Sequence, residues 1–264
     1  MSVWWGSAPL VVGHRGGRGD GWPPENTLAS FEQARAQGAT AIELDVRTCA
    51  GGNVVVFHDD TLARMTRERD PRRIADLTEA ELFAIDLEAY HPEAHHQADY
   101  QVQRPVTAAT VPALSEVLAW ARAHGIGVNV ELKHEVPSRA VLARATAEIV
   151  RNSGADVLLS SFDPLLLAMA GARAPEVPRA LLTHRDQKAW AGALQEGARR
   201  PLVAALHIER TQATPDALAR YRRRGLRVGV WTVNDVAEAR ELVRLGAASI
   251  ITDHPGEMLA ALSR

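Results

Sequence analysis

Cysteine is almost missing from this chain. Its one thiol, Cys49, cannot close an internal disulfide, which removes the mark of a stapled secreted scaffold without by itself excluding export. A surplus of positive charge is missing too. The 30 Lys plus Arg stand against 32 Asp plus Glu, a formal charge of -2, so no basic field holds nucleic acid by counterion release and any anion has to be gripped locally. No apolar run approaches the ~20 residues of a membrane span. The opening MSVWWGSAPLVVGHRG has no basic n-region and reaches His14 after only a short apolar run, unlike a signal peptide. These absences lead us to expect a cytoplasmic protein that neither spans a membrane nor binds nucleic acid, with the choice between monomer and homodimer open.

What is present is a rhythm. With 46% hydrophobic residues, the chain has material for one sizeable core. Short β-like apolar runs alternate with longer segments of helical period, the pattern of a parallel sheet built from βα units. Strands are expected at LVVGH (10–14), AIELDV extended by NVVVFH (41–58), IGVNVEL (126–132), VLLSS (157–161), RALLT (179–183), LVAALHI (202–208), LRVGVWT (226–232) and ASIITD (248–253). Helices are expected over 27–37, 114–124, 138–152, 164–172, 185–196, 214–224, 235–245 and 256–262, with Asn26 capping the first. Gly38, Gly125, Gly154, Gly225 and Gly246 each follow a helical run, where a left-handed C-cap is wanted. Eight strand and helix pairs in this length fit a closed (β/α)8 TIM barrel, one domain over 1–264. The charged, irregular stretch of about 60–111, with only weak helical signal at 78–87, reads as an insertion after the second strand. Within it RMTRERDPRR reads as an exposed charged face and HPEAHH as a solvated loop.

Two acids break the apolar pattern of the second strand. Side chains alternate along a strand, so Glu43 and Asp45 share one face while Ile42, Leu44 and Val46 share the other. With the apolar set toward the outer helices, both carboxylates enter the barrel lumen near its carboxyl end. The third strand repeats the parity with Asn129, Glu131 and Lys133. Like charges crowded in a low-dielectric site repel, and a divalent cation removes the cost. Oxygen donors favour Mg2+ or Ca2+, with Mn2+ a further choice. The plainer alternative pairs Glu131 with Lys133 and leaves the other acids solvated. His14 and His58 each end a strand, where a barrel places proton-transfer groups. Arg15 has the planar fork that suits a phosphate, and Lys133 adds a second charge. Together these describe a site for a phosphate ester.

The chain resembles the glycerophosphodiester phosphodiesterase family. The resemblance rests on GHRGGRGDGWPPENTLASFEQARAQGATAIELDVRTCAGGNVVVFHDDTLARMT near the start, then VELK at 130–133, VWTVND at 230–235 and IITDHP at 250–255, in the family's order along nearly the whole chain. It implies a TIM barrel with an insertion after the second strand, and one divalent cation on Glu43, Asp45 and Glu131. It also implies His14 and His58 as the acid/base pair, Arg15 on the phosphate, Lys133 on the substrate or its phosphate, and Glu25 as a substrate or water-mediated metal contact. Trp231, on the lumen parity of its strand, either packs against the glycerol or departing group or fills the barrel core. Ala50, Gly51 and Gly52 stand where the family carries an aspartate before glycine, and the turn survives on glycine's freedom. The slightly longer GGRGDGWPPENT segment brings Arg18, Asp20 and Trp22 to the pocket mouth.

The implied reaction is hydrolysis of a glycerophosphodiester to sn-glycerol 3-phosphate and an alcohol. One histidine takes a proton from the nucleophile and the other gives one to the leaving alkoxide. Either water attacks directly, or a glycerol hydroxyl attacks first to give a cyclic phosphate. An enolase-like proton abstraction is the competing enzyme class, but it uses a basic lysine rather than paired histidines. A binding-only role predicts damage among the catalytic groups, and none is visible.

Overall fold

Valine, isoleucine and leucine crowd the short runs, and in the computed structural model, which describes residues 2–6, 8–90, 109–187 and 203–263, those runs are the strands. They are β1 Leu10–Gly13, β2 Ala41–Thr48, β3 Val54–Val56, β4 Gly127–Leu132, β5 Val157–Ser161, β6 Arg179–Thr183, β7 Ala205–Glu209, β8 Arg227–Trp231 and β9 Ser249–Thr252. Eight of them pair parallel around a ring that closes between β1 and β9 on one side and β1 and β2 on the other. The helices Leu28–Ala36, Leu114–His124, Arg139–Ser153, Pro164–Gly171, Pro215–Arg223, Val236–Arg244 and Pro255–Leu262 connect them. This is the expected (β/α)8 TIM barrel. The helix expected over 185–196 lies largely outside the described residues, as does HPEAHH beyond Tyr90.

One strand of the expectation is two in the structure. The run expected to continue β2 through His58 folds back, because Gly51 and Gly52 both take φ +82, a left-handed geometry that only glycine adopts cheaply. β3 therefore pairs antiparallel with β2, Val46 opposite Val56 and Thr48 opposite Val54, as a flange outside the ring. The cap of the first helix is also one residue later than expected. The Thr27 hydroxyl accepts from the Ser30 N–H, while Asn26 sits at φ +59 with its side chain turned to the lumen. The five glycines that follow helices all have positive φ, as their position demands.

The core has layers. Leu44, Val46, Val128, Val130 and Leu159 meet Phe31, Leu118 and Leu142 from the helices, and Ile208, Val228, Val230 and Ile250 meet Leu218 and Leu242 on the other half. Inside the ring, Val12, Ala41, Leu158, Ala180, Ala205 and Ile251 fill the lumen with Trp4. The insertion is not merely a charged loop. Leu62, Met65, Ile74, Leu77, Leu82 and Leu87 close over Val55 and Phe57 of the flange as a satellite core, held between short helical turns.

Trp4 plugs the end of the barrel remote from the acids. Its turn is tied to Asp156, just ahead of β5: the Ser2 hydroxyl donates to Oδ1 at 2.8 Å, the Val3 N–H to Oδ2 at 2.7 Å and the Trp4 indole to the carbonyl at 3.3 Å. Trp4→Ala is expected to cost about 3–5 kcal/mol, a Tm lower by on the order of 10 °C, because it opens a cavity the strands cannot collapse into. Thermal melting checks this, and activity measured below the transition is expected to stay near that of the wild type.

Candidate active site

Parallel register brings the acids together. Glu43 pairs with Asn129 and Asp45 with Glu131 across β2 and β4, so inward-facing carboxylates from neighbouring strands share one level of the lumen. One oxygen from each of Glu43, Asp45 and Glu131 lies within 4.8 Å of the others, and all three residues are buried. The ion pair allowed as the plainer alternative exists beside this convergence. The Lys133 ammonium stands 2.8 Å from Glu131 Oε1 and 3.4 Å from Asp45 Oδ1. Asp45 also receives the Asn26 amide at 2.9 Å and faces Arg15 Nε at 3.2 Å.

The cations do not serve the acids equally. Burial raises the Asp45 pKa, but Lys133 and Arg15 outweigh it and hold the carboxyl well below the usual range. Burial also pushes Glu43 up, and there Asp45 and Glu131 add to it, so its carboxyl is held well above the usual range despite the Arg15 N–H donating at 3.0 Å. Glu43 is thus a carboxylate short of positive charge, and a ring of oxygen donors with that deficit fits a hard divalent cation.

Two imidazoles face this cluster, and each is held from behind. His14 follows β1; its Nδ1 lies 2.7 Å from Asp253 Oδ1 and its Nε2 points toward Glu43 Oε2, 4.0 Å away. Asp253 is in turn gripped by Arg18 Nε at 2.8 Å and the Asn234 amide at 2.8 Å. Burial raises the Asp253 pKa, but the bonds from His14 and Arg18 overcome it and hold the group ionised. An ionised carboxylate only accepts, so Nδ1 carries the proton and Nε2 presents a lone pair to the cleft. Burial, more than any other influence, keeps the His14 pKa below that of free imidazole.

His58 arrives by the flange. The Phe57 N–H donates to the Asp45 carbonyl at 2.9 Å, so the hairpin that leaves the barrel along β2 returns His58 to the level of the acids. Its Nδ1 is 2.6 Å from Asp59 Oδ1, and Arg64 Nε holds Asp59 Oδ2 at 2.6 Å. Despite burial, the bonds from His58 and Arg64 lower the Asp59 pKa to about 2. As at His14, the carboxylate only accepts, so His58 Nδ1 carries a proton whichever state Nε2 takes.

A cleft of about 530 Å3, its open mouth included, joins these groups: His14, Arg15, Glu43, His58, Asn129, Glu131 and Lys133 line it together with Phe162, Leu182, Trp231 and Ile251. Trp231 both lines the cleft and packs on the lumen cluster; its indole donates to the His207 carbonyl at 3.0 Å, and its ring meets Phe162 edge-on at 5.5 Å. Arg15 adopts φ +54, unusual for a residue with a side chain, and Gly16 beside it at φ +88 has no room for a Cβ, which would lie 2.2 Å from Ser30 Oγ.

Of the residues singled out from sequence, eight line the cleft or its acid cluster: His14, Arg15, Glu43, Asp45, His58, Glu131, Lys133 and Trp231. Glu25 stands behind them. Its Oε1 is 2.7 Å from both Arg15 Nη1 and Arg64 Nη2, and those guanidiniums, against the cost of burial, lower its pKa to about 2. Trp22 does not open to the mouth; it is folded on Gly17, with its indole donating to Ser30 Oγ at 2.9 Å. RMTRERDPRR is more than an exposed face, since Met65 and Thr66 are buried and Arg64 braces two carboxylates. Sequence reading missed Asp59, Arg64, Asn26, Asn234 and Asp253. All five fall inside the motifs that carry the family resemblance, and for His58 the carboxylate directly after it in FHDD was a local signal, but the pairing of His14 and Asp45 with their partners comes only through the fold.

A sequence model of the Glycerophosphoryl diester phosphodiesterase family matches residues 14–257. The chain is 26% identical to the glycerophosphodiester phosphodiesterase of Caldanaerobacter subterraneus subsp. tengcongensis, covering 95% of this chain and 96% of that protein. Among solved structures it resembles an Oleispira antarctica phosphodiesterase in complex with the product sn-glycerol-3-phosphate, with a TM-score of 0.79, 27% identity and coverage of 97% and 98%. It also resembles the glycerophosphodiester phosphodiesterase of Agrobacterium tumefaciens, with a TM-score of 0.72, 27% identity and coverage of 97% and 100%.

Proposed function

The chain belongs to the glycerophosphoryl diester phosphodiesterase family, and from that premise we propose that it hydrolyses glycerophosphodiesters to sn-glycerol 3-phosphate and an alcohol by histidine acid–base catalysis with a divalent cation. The observation that carries the reading is the convergence of Glu43, Asp45 and Glu131 within 4.8 Å beneath two imidazoles, each committed at Nδ1 to a carboxylate. A cation held by those three acids would supply Lewis-acid polarisation of a phosphate oxygen. Arg15 and Lys133, both lining the cleft, offset charge on the remaining phosphate oxygens.

His14 acts as base. It is the more enclosed of the two, with its side chain 12% exposed against 30% for His58, and its lowered pKa keeps it uncharged at neutral pH. Its Nε2 accepts the proton of the nucleophile, whose oxygen forms the new bond to phosphorus; where that nucleophile is a glycerol hydroxyl rather than water, the cyclic phosphate formed is opened by a water in a second step. His58 stands nearer solvent, where the alcohol departs. As the P–O bond to the leaving group breaks, the proton on His58 Nε2 passes to that oxygen, and Asp59 stabilises the imidazolium before transfer. Trp231 and Phe162 form the apolar wall against which the organic part of the substrate rests.

A metal-free preparation assayed for glycerol phosphate release, with Mg2+, Ca2+ and Mn2+ restored one at a time, tests the reading. We expect no turnover in EDTA and recovery with at least one ion. Full turnover of demonstrably metal-free protein would sink it.

A further inference from the structure

Behind the cleft, the two histidine arms meet at one side chain. On one arm, Asp59 joins His58 to Arg64, and Arg64 Nη2 reaches Glu25 Oε1 at 2.7 Å. On the other, Asp253 joins His14 to Arg18, and Arg18 Nη1 stands 3.5 Å from Glu25 Oε2. The two arms come from distant parts of the fold, the insertion for His58 and the end of β9 for Asp253. Glu25 is 7% exposed in its side chain and does not line the cleft. A buried carboxylate among three arginines neutralises charge, but neutralisation alone does not require it to bridge two arms.

We infer that Glu25 is a positioning residue that ties the Asp59–His58 and Asp253–His14 pairs into one frame, so that the proton donor and acceptor keep a fixed spacing across the phosphate. The inference rests on the proposed acid–base reading and gives Glu25 a different task from the substrate or metal contact that the family resemblance implies. The arms are unequal. Arg64 is hydrogen-bonded to Glu25, whereas Arg18 is only in ion-pair range and has a two-point grip on Asp253 of its own, at 2.8 and 3.1 Å. Loss of Glu25 therefore releases the His58 side first. Groups that support a catalytic side chain from behind are typically worth about 10–100-fold in activity.

The test compares Glu25→Gln, Arg64→Met and the double variant. The Arg64 side chain is 47% exposed, so Arg64→Met reports even where a change at buried Glu25 disturbs folding. At saturating Mg2+ or Ca2+, each single variant is expected to lose about tenfold or more in kcat with KM changed less than about twofold, and the double variant to be no worse than the poorer single. In metal-free protein labelled with 15N-histidine, the His58 ring is expected to show the Nδ1–H tautomer in the wild type and averaged tautomers in both single variants. That readout needs no substrate, so it judges the frame even where the assay fails the proposed reaction. A rise in KM at unchanged kcat, full recovery of kcat by excess cation, strictly additive losses, or an undisturbed His58 tautomer in both variants would each overturn the inference.

Discussion

His58→Ala is expected to lower kcat for a glycerophosphodiester of a simple alcohol by about 10²–10⁴-fold, the range of a lost general acid, while divalent-cation affinity survives. The separation follows from geometry. His58 contributes no oxygen to the acid cluster and is held at its level through the backbone, by the Phe57 N–H on the Asp45 carbonyl and by Arg47 Nε donating to the His58 carbonyl at 2.7 Å, contacts that a side-chain truncation leaves in place. What is lost is the proton delivered from Nε2 to an alkoxide that leaves poorly without it. An ester with an activated aryl leaving group needs no such proton, so the same variant is expected to retain far more of its activity on that substrate. Steady-state assays on the two esters, with calorimetric titration of Mg2+ or Ca2+, check this. Equal losses on both esters would count against His58 as the acid.

Glu43→Gln is expected to fail differently, losing about 10³-fold or more in turnover together with tight cation binding. Without a cation, burial, Asp45 and Glu131 all oppose a charged Glu43, so its neutral isostere relieves the metal-free protein. We expect the Tm of Glu43→Gln in EDTA to match or exceed that of the wild type. Adding cation at a hundred times its Kd should stabilise the wild type by about 2.7 kcal/mol and leave the variant unmoved. A variant that melts lower in EDTA yet still gains from cation would show that Glu43 supports the fold rather than the ion. Activity and metal-free stability are thus predicted to move in opposite directions at this position, the pattern of a residue kept for chemistry.

Much of this was legible because strand alternation is strict. Once Ile42, Leu44 and Val46 are assigned to the helix side, Glu43 and Asp45 have only the lumen, and the same parity delivers Glu131 and Lys133 from β4. Helix ends marked by glycine were legible for a similarly local reason. The supporting partners were not, because nothing in a one-dimensional pattern tells Asp253 that it will face His14, or Arg64 that it will meet Glu25, residues brought together by ring closure and by the insertion. The reversal at Gly51 and Gly52 was misjudged in its consequence. The turn was anticipated, but valines on both sides of it read equally well as one long strand or as a hairpin.

That hairpin decides where tolerance to change lies. Glu43, Asp45 and Glu131 lie on strands of the ring and His14 directly follows one, so a shift there disturbs the neighbouring strands. His58 instead rides on an outrigger whose rigidity comes from Leu62, Met65, Ile74 and Leu82, none of them touching the cleft. If His58 is the acid proposed above, repacking the outrigger is expected to retune proton delivery, and with it the alcohols that leave readily, without moving the acids and His14 on the ring.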